Sequence, residues 1–139
     1  MNEPKIRPYP RFCPECGKDD TVEAHTLDYT AKVKHDGEVH EFHVPDLKVD
    51  KCSFCSEMYF GVVADEQISA ALRKHRHLLS PEEIKKQLEV CGITTTDLAT
   101  RLRIKKEDVD AWIDNRLIQS GPMDASMRLF FELALLKSV

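Results

Sequence analysis

Two short cysteine pairs constrain this chain more than any other feature: Cys13-Pro14-Glu15-Cys16 and Cys52-Ser53-Phe54-Cys55. Each is a C-x2-C knuckle, in which one tight turn aims two sulfurs at a single ion about 2.3 Å away. Two knuckles supply the four thiolates of a closed tetrahedral site. Gly17 follows the first pair, where such a turn asks for positive φ. The expectation is one structural Zn²⁺ per chain, held by Cys13, Cys16, Cys52 and Cys55.

Other uses of the cysteines fit less well. Met1 to Arg11 carries charges and prolines but no apolar h-region, so no export signal is expected and a reducing cytoplasm suits the thiols better than disulfides. A redox CxxC would leave the second pair idle. The first knuckle resembles that of a rubredoxin iron site, but Ser53 and Ser56 stand where the second would carry proline and glycine, which favours zinc over iron. The fifth cysteine, Cys91, lies on an apolar helical face and reads as a small core residue.

With 139 residues the chain has room for one ordinary domain or two small ones, and its net charge of −4 rules out a broadly basic nucleic-acid coat. No apolar run approaches membrane-spanning length. Any DNA contact must therefore come from locally placed cations.

The 35 residues between the knuckles are strand-like. Val22–Val33 is rich in Val, Thr and Tyr, Asp36-Gly37 is a hairpin turn signal, and Val39–Val44 resumes a strand that Pro45 is expected to interrupt. A helix is expected from Asp65 to about His77, ending in a cluster from Arg73 to His77 that suits the negative end of the dipole. That cluster reads first as solvated cations, and second as a phosphate-facing linker.

Helical signals dominate the remainder. Ser80-Pro81-Glu82-Glu83 is a capping box with proline at N1, flanked by a Leu79/Ile84 staple, and Gly92 closes that helix. Thr94 and Asp97 start a second helix carrying Leu98, Ala99 and Leu102. A third is expected near Lys106–Asp114 with Val109, Trp112 and Ile113 inward, then Asn115 as a left-handed cap. Ser120-Gly121-Pro122 breaks the chain before a last helix from Met123 to Lys137. Met127, Phe130, Phe131, Ala134 and Leu135 can face its core, leaving Leu129, Leu133 and Leu136 as a second apolar stripe for a partner.

Ile93-Thr94-Thr95-Thr96-Asp97-Leu98-Ala99-Thr100-Arg101-Leu102-Arg103-Ile104 resembles the L-[ST]-Q-x-x-L-A-x-x-L-G-V run of Xre/Cro-type helix-turn-helix domains. Trp112 and Asn115 fall at the W and G of that family's W-E-x-G segment. With the two knuckles ahead of this run, nearly the whole chain is similar to the MqsA family of antitoxin-regulators, which join a YgiT-type zinc finger to an Xre-type helix-turn-helix. The fold so implied is α+β: a zinc-stapled antiparallel β domain at 1–64, a linker helix at 65–78, and an all-α helix-turn-helix domain at 79–139. The resemblance further implies a cytoplasmic, non-enzymatic autorepressor. Its C-terminal domain would form a homodimer on double-stranded operator DNA, and its N-terminal domain would bind a toxin. Thr95, Thr96, Lys105, Lys106, Glu107, Asp110, Ala111 and Arg116 would fall at or near the DNA-facing positions.

Two departures have physical weight. Arg103 stands where the family prefers glycine in the turn, which costs about 1 kcal/mol if φ is positive there. Glu107, Asp108 and Asp110 would repel phosphate beside a recognition helix, so the alternative reading is a protein-interaction adaptor that no longer reads DNA. Catalysis has no motif in its favour, and four thiolates leave no open metal position for water.

Overall fold

In the computed structural model, which describes residues 10–137, a three-stranded antiparallel sheet is combined with five helices. The fold class is therefore α+β. Met1–Tyr9, most of the segment on which the export argument rests, lies outside the described residues. The strands are β1 (Val22–His35), β2 (Glu38–Cys52) and β3 (Met58–Tyr59), in the order β1-β2-β3. The helices are α1 (Val62–His75), α2 (Pro81–Cys91), α3 (Thr95–Leu102), α4 (Lys106–Ile113) and α5 (Gly121–Lys137). No helix among the described residues is long and apolar enough to cross a membrane.

The chain divides into two compact units. Among the described residues, one unit comprises 10–31 and His43–Ile68; the other comprises Lys32–Phe42 and 69–137. The hairpin tip thus groups with the helices, and α1 is shared. The reason is long-range bonding within the second unit. His35 and Asp36 at the tip bond Gln119 and Gly121, and Phe42 stacks on His75 at 5.5 Å.

β2 does not stop at Pro45. Burial alternates on even numbers at Phe42 and Val44, then on odd numbers at Leu47 and Val49. Pro45 and Asp46 between them are exposed, and Asp46 has φ 54°. One extra residue has been inserted, so the strand bulges and continues with its pleat out of phase. Gln67 on α1 holds this irregular backbone: its Nε2 donates to Asp46 O at 3.0 Å, and its Oε1 accepts from Lys48 N–H at 2.8 Å. At the far end, Asp36 and Gly37 both have positive φ (54° and 79°), the geometry of a two-residue type I′ turn.

The helical unit is built on local signals that work as expected. Ser80 accepts from the Glu83 amide while Glu83 reaches back to Ser80 N–H, and Thr94 and Asp97 repeat the arrangement at α3. Gly92 closes α2 at φ 66°. The core joins Leu79, Ile84, Leu88, Leu98, Ala99, Val109, Trp112, Met127 and Phe131, with Cys91 packed at its edge. α5 starts at Gly121, two residues ahead of the expected Met123.

Arg73 is the main surprise in this unit. At 2% exposure it is not a solvated cation. Its guanidinium donates to the carbonyls of Leu79 (3.0 Å), Leu117 (3.0 Å) and Trp112 (3.4 Å), the last two following or ending α4. Beside it, Gln119 donates to Leu79 O, and Asp124 accepts from both Leu79 N–H and Gln119. Burial lowers the Arg73 pKa while Glu82 and Asp124 act to raise it.

Candidate metal centre and exposed helix pair

The two knuckles have the same local design. Cys13 N–H donates to Lys18 O and Gly17 N–H to Cys13 O; correspondingly, Cys52 N–H donates to Glu57 O and Ser56 N–H to Cys52 O. The fifth residue of each turn has positive φ, Gly17 at 75° and Ser56 at 65°. Serine therefore occupies a left-handed position that glycine fills without strain. The antiparallel pairs Asp50↔Tyr59 and Lys51↔Met58 close the second turn, and Ser53 N–H donates to Thr21 O at 2.8 Å.

Together these turns bring the four Sγ atoms within 4.8 Å of one another. Cys13 Sγ is 3.7 Å from Cys55 Sγ, and Cys16 Sγ is 3.7 Å from Cys52 Sγ. A tetrahedron with legs of about 2.3 Å has edges of about 3.8 Å, so the sulfur spacing fits a tetrahedral thiolate site. Cys13 and Cys52 are buried with Val22, and Tyr59 and Cys16 pack against them.

The electrostatics lead to the same place. Burial opposes ionisation of Cys52, but the amides of Cys55 and Phe54 and the nearby Thr21 hydroxyl outweigh it and bring its thiol down to about 6. Cys13 is likewise lowered, against burial, by the Tyr59 hydroxyl and the amides of Cys16 and Glu15. At Cys55 the Glu57 amide favours the thiolate, yet burial and the other three sulfurs push it up to about 12. Four thiolates this close repel, and a divalent cation is what allows all of them to ionise. The set is compatible with a structural metal.

The residues expected to face DNA are spread over α3, α4 and the turns around them. Thr96, Lys105, Lys106, Glu107 and Arg116 are exposed, and Thr95 is half-buried. A three-residue link, 103–105, joins α3 to α4; Arg103 is left-handed at φ 59°, so the strain expected there is present. Ala111 departs from expectation. It is 4% exposed because it shares α4 with the inward-facing Val109 and Trp112, and it has no surface to offer a base. Asp110 is half-buried and accepts from Lys106 Nζ at 2.8 Å, a pairing that raises the lysine pKa. Arg116 pairs with Asp114 at 3.3 Å.

Along α5, Met127 and Phe131 are buried and Phe130 is half-buried, whereas Leu129, Leu133 and Leu136 are 58%, 49% and 70% exposed. Leu135, expected inward, is exposed. Sequence reasoning missed the sulfur-supporting Thr21 and Tyr59 because each is distant in sequence from the cysteine it touches. No protein-family model, curated protein or solved structure matches this chain.

Proposed function

We propose that the chain is a DNA-binding transcriptional regulator stapled by one structural zinc ion. The observation that carries this reading is the α3–α4 pair. Two eight-residue helices meet across a three-residue turn, with Thr96, Lys105, Lys106 and Glu107 exposed around the α4 N-terminus. A helix-turn-helix meets base edges with that end of its second helix. The all-thiolate donor set and the sulfur spacing fit a tetrahedral zinc site, and Ser53 and Ser56, where a rubredoxin knuckle carries proline and glycine, favour zinc over iron. The exposed leucines of α5 suit a second copy of the chain, and a dimer would set two α4 helices about 34 Å apart, one DNA turn. The toxin partner, and with it the antitoxin role, rests on the resemblance to the MqsA family. Exposed Phe12, Phe54, Val62 and Val63 leave apolar surface for such a partner in the first unit.

The test is a gel shift on the DNA upstream of the gene, run over a salt series. Specific binding should weaken as salt rises, and Lys105→Gln/Lys106→Gln should flatten the slope by about two units if both lysines neutralise phosphate. A second reading, a protein-interaction adaptor, is favoured by one observation: Lys106 is already engaged by Asp110 on its own helix. Absence of specific binding at low ionic strength would select the adaptor.

A further inference from the structure

Arg76, just past α1, stands at the centre of a cluster that neither the metal centre nor the α3–α4 surface uses. Its Nη1 lies 2.9 Å from His35 Nδ1, 3.2 Å from His40 Nε2 and 3.2 Å from Asp36 Oδ2. All four residues belong to the helical unit, three of them on the hairpin tip. An arginine only donates, and Nη1 has two hydrogens for three neighbours, so two accept fully at a time; His35, the nearest, presents a lone pair to it. His35 Nε2 then carries the proton and donates to Gln119 O at 3.0 Å, which satisfies both nitrogens of a neutral ring. His40 Nε2 is also 3.3 Å from His35 O, but it can donate there only by giving up Arg76.

From these contacts we infer that the cluster is a proton-sensitive latch holding the hairpin tip, Lys32–Phe42, against the C-terminal end of α1 and the start of α5. Among the described residues, the charged and titratable groups facing the two rings are Arg76, Asp36 and His75; the His75 ring lies 5.8 Å from that of His40. Gln119 presents its backbone carbonyl to His35, and Gly121 donates its N–H to Asp36 at 2.8 Å. With neutral rings, one guanidinium is balanced by one carboxylate. Protonating both rings sets three cations around that carboxylate and leaves Asp36 as the sole acceptor among the three neighbours of Arg76 Nη1. Asp36 lies 3.5 Å from His35 Nδ1 and can take up one of the new protonated groups, but then shares itself with Arg76. Histidine is the side chain whose charge ordinarily changes between about pH 5 and 8. Neutral rings close the latch and protonated rings open it.

Hydrogen exchange on the full chain at about pH 7.5 and about pH 5.5, corrected for intrinsic rates, tests this. Protection of the tip amides and of 119–124 should fall by about tenfold at the lower pH while α2 is unchanged. The double variant His35→Asn/His40→Gln keeps acceptors that do not protonate, and should abolish the pH dependence. Should that variant fold poorly, the ring C–H resonances of the unmodified protein give the same answer, because protonation of His35 and His40 should coincide with loss of tip protection. Equal protection at both pH values, or rings that protonate while the tip stays protected, overturns the inference.

Discussion

The hydroxyl of Tyr59 lies 3.1 Å from the sulfur of Cys13, although 46 residues separate them in sequence. A hydroxyl donated to a buried thiolate disperses its charge, and such supporting groups tune how firmly an ion is held. Tyr59→Phe keeps all four sulfurs and should lower metal affinity by about tenfold, measured by competition with a chromogenic chelator. Unchanged affinity would remove Tyr59 from that role.

Around the sulfurs the apolar core is small: Cys13, Val22 and Cys52, with Cys16 and Tyr59 against them. Metal binding should therefore carry much of the folding free energy there. Chelation, or Cys52→Ser, is expected to abolish the ordered signal of the sheet residues in the first unit, 22–31 and 43–59, while the helical unit, with its separate core, still melts cooperatively. A single unchanged transition after complete metal removal would show that the sulfurs are dispensable.

Ser56 and Gly17 hold equivalent places in the two knuckles, and only one is glycine. Ser56→Gly should stabilise by about 0.5–1 kcal/mol, and Gly17→Ala should destabilise by a similar or larger amount. Arg103→Gly in the α3–α4 turn should likewise stabilise, on the same argument. Urea titrations of the metal-loaded protein measure each.

Acid stability should show a further transition at lower pH. The Thr94 amide and hydroxyl hold the Asp97 carboxyl below its ordinary 3.8, and the Gly121 amide does the same for Asp36. A lowered folded pKa means that the unfolded chain binds the proton more readily. The stabilisation is thus complete above pH 3.8 and is lost as the pH falls through the lower folded values. Asp97→Ala should reduce stability at neutral pH and flatten this acid limb; an unaltered limb would refute the assignment.

Arg73 supports the end of α4 by donating to Trp112 O and to Leu117 O beyond it. Arg73→Met should cost about 3 kcal/mol by stranding those carbonyls, and Arg73→Lys should not restore it, since an ammonium lacks the planar fork. Thermal melts would decide, with full recovery by lysine as the contrary outcome.

What was legible in the chain was local. Ser80 with Glu83, Thr94 with Asp97, Gly92 and Asp36-Gly37 act within a few residues of themselves, so their sequence patterns carry their structures. The four cysteines were equally plain because knuckle geometry is a matter of spacing. Arg73 read as a solvated cation because its acceptors lie up to 44 residues away. Pro45 read as a strand terminator because the Gln67 amide that supports the bulge comes from a later helix. The roles of His35 and His40 are set by Arg76, which lies 41 and 36 residues further along the chain.

Between the knuckles lies one hairpin, turning at Asp36-Gly37. Joining the cysteine pairs directly would close a loop of some 36 residues, at an entropic cost of about 3 kcal/mol. A hairpin tip that closes at its turn within the helical unit, which keeps its core without metal, meets part of that cost before an ion arrives. The speed with which an unfolded chain captures metal should therefore depend on Gly37, φ 79°, far along the chain from any sulfur. A residue that resists the turn should slow capture while leaving the affinity of the finished site nearly untouched.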